Sequence, residues 1–226
     1  MEYLLDTANL ANIRKYNEYL PITGVTSNPS IVKKEGNISF FKHMREIRSV
    51  IGMEKTFHIQ VTATTVDGML KDADAILNKV DDKVYVKVPV TLDGLKVIKT
   101  LKTQGVNVTG TAIYTVNQGL LAMEAGADFI APYYNRMENL SIDPVDVISS
   151  FAQMIDMYGY DTKILAASFK NIGQVNNAFM AGAQTATMDP SIIEAALAMP
   201  SIGQAVVDFN KDWSSIFGDK TIAELE

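Results

Sequence analysis

The chain has 226 residues, 47% of them hydrophobic and 20% charged, with a formal net charge of −6 and no cysteine. That balance suits a globular chain with one large core, and its scattered lysines within an acidic whole argue against nucleic-acid partners. Without cysteine there is no disulfide, thiolate metal site or cysteine nucleophile, and His43 and His58 are too few for a histidine-rich metal centre.

No apolar run approaches the ~18 residues of a membrane span. The first residues, Met1 to Asp6, read as a strand and lack the basic and long apolar regions of a signal peptide. With the missing cysteines this fits a cytoplasmic location.

In chain order, strand-like runs are expected at 3–6, 22–26, 56–61, 84–88, 106–111, 128–133, 163–168 and 183–187. Amphipathic helical stretches fall between and after them, at 9–19, 39–51, 66–79, 93–104, 116–125, 144–158, 171–181 and 191–198. Alternation of this kind implies right-handed crossovers and a parallel sheet, and eight repeats close naturally into a (β/α)8 TIM barrel. A doubly wound open sheet is the alternative, weakened by the absence of a Gly-x-Gly-x-x-Gly turn after the first strand and of a P-loop. The barrel is expected over residues 1–200 as a single domain, followed by an extra helix and tail at 201–226. There Ile202, Val206, Phe209, Trp213 and Ile216 recur at spacings of four and three, one apolar stripe. A closed barrel does not need that stripe. It can fold over the barrel's own floor or pack on a neighbouring subunit.

Barrels of this kind do chemistry at the C-terminal ends of their strands. The fourth strand ends there in Val-Tyr-Val-Lys-Val-Pro, with Tyr85 and Lys87 on one face between valines. A lysine buried in that setting loses charge, because desolvation lowers its pKa, and a neutral amine is a nucleophile. The alternative is a lysine that snorkels to water or pairs with a carboxylate. The other strand ends supply polar company: Asp6-Thr7, Thr26-Ser27-Asn28, Gln60, Thr109 and Thr111, Tyr133 to Arg136, and Ser168. Asp6 can cap a helix, as can Thr26 and Asn28, or each can meet substrate hydroxyls. His58, deeper on the third strand, reads as a core histidine. A Schiff-base lysine needs a proton shuttle, which Asp6 and Tyr133 can provide, and a phosphate suits Arg136.

Six collinear stretches carry a resemblance: Leu-Asp-Thr at 5–7, Gly-Val-Thr-Ser-Asn-Pro-Ser at 24–30, Val-Lys-Val-Pro at 86–89, Gly-Thr-Ala-Ile-Tyr at 110–114, Ala-Pro-Tyr-Tyr-Asn-Arg at 131–136 and Ala-Ala-Ser-Phe-Lys at 166–170. Together they resemble the transaldolase family, in particular its fructose-6-phosphate aldolase branch. The resemblance implies a class I aldolase with no metal or organic cofactor, acting on a sugar phosphate or hydroxyketone and assembling as a pentamer or decamer. It implies Lys87 as the Schiff-base lysine, Asp6 as the active-site acid, and Gln60 and Thr111 around a catalytic water. Thr26 and Asn28 match contacts to the dihydroxyacetone unit, and Ser168 and Arg136 match substrate and phosphate contacts. Two positions separate the branches: transaldolases typically carry glutamate where Gln60 stands and phenylalanine where Tyr133 stands. Ser27 stands where threonine is usual, and Thr187-Met188-Asp189-Pro190 departs from the family's wording. A transaldolase moving dihydroxyacetone to erythrose 4-phosphate is the alternative, and a non-catalytic sugar-phosphate-binding barrel is the third.

Overall fold

The structure is a computed structural model that describes residues 1–225. The strands are β1 (Glu2–Asp6), β2 (Ile22–Thr26), β3 (Thr56–Gln60), β4 (Tyr85–Pro89), β5 (Val108–Ile113), β6 (Phe129–Pro132), β7 (Lys163–Ala166) and β8 (Thr185–Met188). Between them run α1 (Leu10–Tyr19), α2 (Pro29–Lys34), α3 (Phe40–Ile51), α4 (Val66–Lys79), α5 (Leu92–Thr103) and α6 (Val116–Glu124). They are followed by α7 (Tyr134–Asn139), α8 (Pro144–Tyr158) and α9 (Ile172–Met180). All neighbouring strands are parallel and in sequence order, and β1 pairs with β8, closing the (β/α)8 barrel.

Local chemistry explains these elements. A short polar residue caps most helices at the top of the barrel: Thr65, Thr91, Thr115 and Asn171 each accept from a backbone N–H three residues on. The strands carry apolar residues on both faces because helices cover the outside and side chains fill the inside. Gly24 shows how tightly: a Cβ there would stand 2.1 Å from Thr56 Oγ1 and 3.0 Å from Leu4 Cδ2.

The lower barrel is a packed core. Leu4, Phe129 and Leu165 form a buried cluster against Tyr85. His58 stacks on Tyr85 at 4.8 Å between centroids, and Phe129 meets both rings edge-on at 5.1 Å. Below them Lys163 Nζ reaches Glu2 Oε1 at 2.7 Å.

Some boundaries differ from the sequence pattern. β5 begins at Val108 rather than 106, because Val106 donates its N–H to Leu101 O and closes the end of α5 behind Gly105, which is left-handed at φ 75°. Likewise Ala183 donates to Ala178 O after Gly182, so β8 begins at Thr185. The six-residue helices α2 and α7 show no amphipathic run in the sequence; α2 starts from the Asn28 cap and Pro29, whereas α7 has no side-chain cap.

The chain divides into two compact units, Met1–Pro190 and the segment from Ser191 onward. The second contains most of α10 (Pro190–Leu197), α11 (Pro200–Phe217) and a 3-10 turn at Ile222–Glu224. On α11, Ile202, Val206, Phe209 and Ile216 are exposed. Trp213 Nε1 donates to Lys220 O at 2.7 Å and the ring packs on Phe217 at 4.5 Å. Among the described residues, no single helix is long and apolar enough to cross a membrane.

Candidate active site

Lys87 is 2% exposed on the inward face of β4, in register with Gln60 on β3 and Thr109 on β5. It lines a cavity of about 300 Å³ at the top of the barrel, together with Asp6, Asn28, Gln60, Tyr133, Arg136, Ser168 and the backbone of the β5 and β7 ends. Burial lowers the Lys87 pKa from its ordinary value, and the nearby Asp6 partly opposes that. Burial raises the Asp6 pKa, with Lys87 and Thr26 pulling the other way. Both shifts favour a neutral amine beside a carboxyl group that can carry a proton, the protonation states a nucleophilic amine and an acid need.

Asp6 is held from behind. Thr26 Oγ1 donates to Asp6 Oδ1 at 2.6 Å and lies 2.7 Å from Thr187 Oγ1. Since the one hydroxyl proton of Thr26 goes to Asp6, Thr187 donates to Thr26. Asn28 caps α2, its Oδ1 accepting from the N–H groups of Ser30 and Ile31, with Pro29 in the first helical position. The cap takes the oxygen and leaves the amide nitrogen for the cavity.

Tyr133 sits at the N-cap of α7, its own N–H tied to Ile113 O at 3.0 Å. Its hydroxyl lies 3.1 Å from Thr111 Oγ1, and burial raises its pKa, so it is a protonated phenol that can donate. One turn into α7, Arg136 lies over the Tyr133 ring at 5.0 Å and donates to Tyr114 Oη at 3.3 Å. Tyr114 in turn meets Tyr133 edge-on at 5.8 Å.

Among the described residues, three buried side-chain atoms have no hydrogen-bond partner: Thr56 Oγ1, His58 Nε2 and Gln60 Oε1. All three belong to the inward face of β3. Gln60 Oε1 is therefore open to a donor held in the cavity, since a buried amide oxygen left unpaired is costly. His58 is fully buried, with Nδ1 2.8 Å from Thr109 Oγ1, and burial holds its pKa well below the usual value. It is a neutral core histidine. Ala112 and Ser168, both lining the cavity, are non-glycine residues in the left-handed region, at φ 58° and 65°.

Of the residues singled out from sequence, Lys87, Asp6, Gln60, Tyr133, Asn28, Arg136 and Ser168 line one cavity. Thr26 and Thr111 stand one hydrogen bond behind it, on Asp6 and on Tyr133. Tyr114, Ala112 and Ala167 are additions the strand-end pattern did not supply. Ala112 and Ala167 carry no chemistry-bearing side chain, and Tyr114 lies beyond the end of its strand.

The whole barrel has counterparts among known proteins. Residues 3–224 match the model of the family described as Transaldolase/Fructose-6-phosphate aldolase. A protein of Streptococcus pneumoniae named "Probable fructose-6-phosphate aldolase" is 53% identical, the match covering 98% of this chain and 100% of the relative. Two proteins named "Probable transaldolase" are also similar. That of Agathobacter rectalis is 35% identical over 97% of this chain and 100% of its own length. That of Rhizobium meliloti is 36% identical over 95% and 97%.

Proposed function

Because the chain belongs to the transaldolase/fructose-6-phosphate aldolase family, we propose that it reversibly cleaves fructose 6-phosphate to dihydroxyacetone and glyceraldehyde 3-phosphate through a Schiff base on Lys87. The observation that carries this reading is the pairing of a fully buried lysine with a phenol, Tyr133, held by Thr111 over the same cavity as Gln60.

The neutral Lys87 amine adds to the C2 ketone of the open-chain sugar, forming a C–N bond. Asp6 donates a proton to the C2 oxygen, the carbinolamine loses water, and an iminium remains. The C3–C4 bond then breaks: its electron pair forms the C2=C3 bond and the iminium nitrogen takes up the C=N pair and loses its charge, giving a neutral enamine. The Asp6 carboxylate left by the first step takes the C4 hydroxyl proton through a water as that carbon becomes the aldehyde of glyceraldehyde 3-phosphate, and the Tyr133 phenol, reprotonated when the iminium is later hydrolysed, donates through a water to C3. Proton return to C3 regenerates the iminium, and water hydrolyses it to release dihydroxyacetone and the free amine. Asn28 and Thr26 serve the three-carbon end, Thr26 through Asp6, while Arg136 and Ser168 serve the phosphate.

The exposed apolar stripe of α11 supports a homo-oligomer in which this helix is covered by another subunit. The cysteine-free sequence supports a cytoplasmic location.

A transaldolase is the second reading, favoured by the two relatives bearing that name. Incubation with fructose 6-phosphate alone separates the two. An aldolase releases free dihydroxyacetone at a steady rate; a transaldolase releases none, and turns over only when erythrose 4-phosphate accepts the three-carbon unit.

A further inference from the structure

At the C-terminal ends of β5 and β7 the chain builds the same junction twice. Each begins with a left-handed residue that lines the cavity, Ala112 or Ser168. Two residues on, a backbone N–H donates to the side-chain oxygen of a glutamine four positions later. Tyr114 N reaches Gln118 Oε1 at 3.0 Å, and Lys170 N reaches Gln174 Oε1 at 2.7 Å. Thr115 and Asn171 return the bond, accepting from the backbone N–H of those glutamines at 3.4 and 3.0 Å. The likeness continues: Ala-Gly-Ala at 125–127 and at 181–183 ends each helix, with Gly126 and Gly182 left-handed at φ 93° and 102°.

Reciprocal bonds of this kind close a helix N-terminus and need only the glutamine oxygen. The two amide nitrogens are left over, and both reach outside their own unit. Gln118 Nε2 donates to Val90 O just past β4 at 3.2 Å and to Ala112 O at 3.4 Å. Gln174 Nε2 donates to Asn135 Oδ1 at 3.1 Å and to the Glu138 carboxylate, both on α7.

The two glutamines converge on Arg136, Gln118 through its oxygen and Gln174 through its amide nitrogen. Gln118 fixes the backbone of Tyr114, whose hydroxyl accepts from Arg136 Nη1. Gln174 fixes the first turn of α7, which carries Arg136 and is also held by Asn135 N on Ser168 O at 3.0 Å. An exposed arginine otherwise samples many rotamers, and ordering it costs entropy that preorganisation removes. We propose that Gln118 and Gln174 are a matched pair of positioning residues that set Arg136 from two sides, and thereby set the preference for an anionic over a neutral acceptor aldehyde. This rests on the aldolase reading above.

The test is aldol addition of dihydroxyacetone to glyceraldehyde 3-phosphate and to unphosphorylated glyceraldehyde, with dihydroxyacetone trapped on Lys87 by borohydride in parallel. In Gln118→Leu and Gln174→Leu the ratio of kcat/KM for the phosphorylated over the neutral aldehyde falls by about ten- to a hundredfold, mostly through KM for the phosphorylated one. Trapping on Lys87 persists. Tyr114→Phe leaves both caps intact, removes only the acceptor of Arg136, and lowers the ratio independently of any folding defect. An equal fall on both aldehydes, or a lower Tm with the ratio intact, overturns the proposal and leaves the glutamines as caps. A wild type that turns over both aldehydes without preference overturns it alone; a wild type with no aldol activity overturns the aldolase reading as well.

Discussion

Tyr85 and Lys87 stand two positions apart on one face of β4, yet they stand in different chemistry. Tyr85 belongs to the barrel floor, stacked on His58 and edge-on to Phe129 among Leu4 and Leu165. Lys87 belongs to the mouth, where Asp6, Gln60, Tyr133, Arg136 and Ser168 share its cavity. The same step of two recurs on other strands: His58 then Gln60, Thr109 then Thr111, and Phe129, Ala131, then Tyr133. In each, the lower residue packs or closes an internal bond and the upper one meets the cavity or a cavity residue. The floor is what makes the mouth work. A layer of packed rings excludes water from below, and that burial is the largest influence lowering the Lys87 pKa.

Separate functions for the two layers can be broken apart by substitution. The largest effect is expected for Tyr133→Phe, which removes the phenolic acid/base while keeping the ring under Arg136. Free dihydroxyacetone from fructose 6-phosphate should fall by about 10²- to 10⁴-fold, while transfer to an added aldose survives. Coupled assays for dihydroxyacetone and for glyceraldehyde 3-phosphate, each run with and without erythrose 4-phosphate, check both.

Phe129→Ala tests the floor. Emptying that buried ring site should cost about 3–5 kcal/mol of stability, read from denaturant melts, with kcat of the folded fraction changed far less than by Tyr133→Phe. A loss confined to kcat with stability intact would place Phe129 in the mouth after all.

Asp6→Asn has the most specific effect, on the pH profile of the activity that remains once its proton donation is lost. The Asp6 carboxylate favours the charged form of Lys87, opposing burial. Without it, burial lowers the amine's pKa further, so the acid limb of kcat/KM moves to lower pH. A limb that moves upward would mean that Asp6 does not act on Lys87.

The fold was legible in the sequence because both periodicities are strong: alternation around Lys87 in β4, and apolar spacing in helices such as α3 and α8. The boundaries that shifted have one cause. Val106 and Ala183 are apolar residues beside strands, but each is drawn into the closing turn of the preceding helix by a bond to Leu101 O or Ala178 O. Periodicity cannot separate a strand residue from a helix-closing one. Most of the site was legible because its side chains are polar groups at strand ends. What stayed hidden works through backbone: the left-handed turns at Ala112 and Ser168, and the bonds by which Gln118 and Gln174 hold neighbouring units. Thr26 shows the other limit, since its residue type gave no sign that its hydroxyl is engaged by Asp6 and Thr187 rather than facing the cavity.

The most direct test of a nucleophilic Lys87 is borohydride reduction in the presence of dihydroxyacetone, followed by peptide mass mapping with Lys87→Ala as the control. A reduced three-carbon adduct on the peptide containing Lys87, absent from the variant, is the expected result. An unmodified Lys87, or an adduct that persists in Lys87→Ala, would contradict the Schiff-base mechanism.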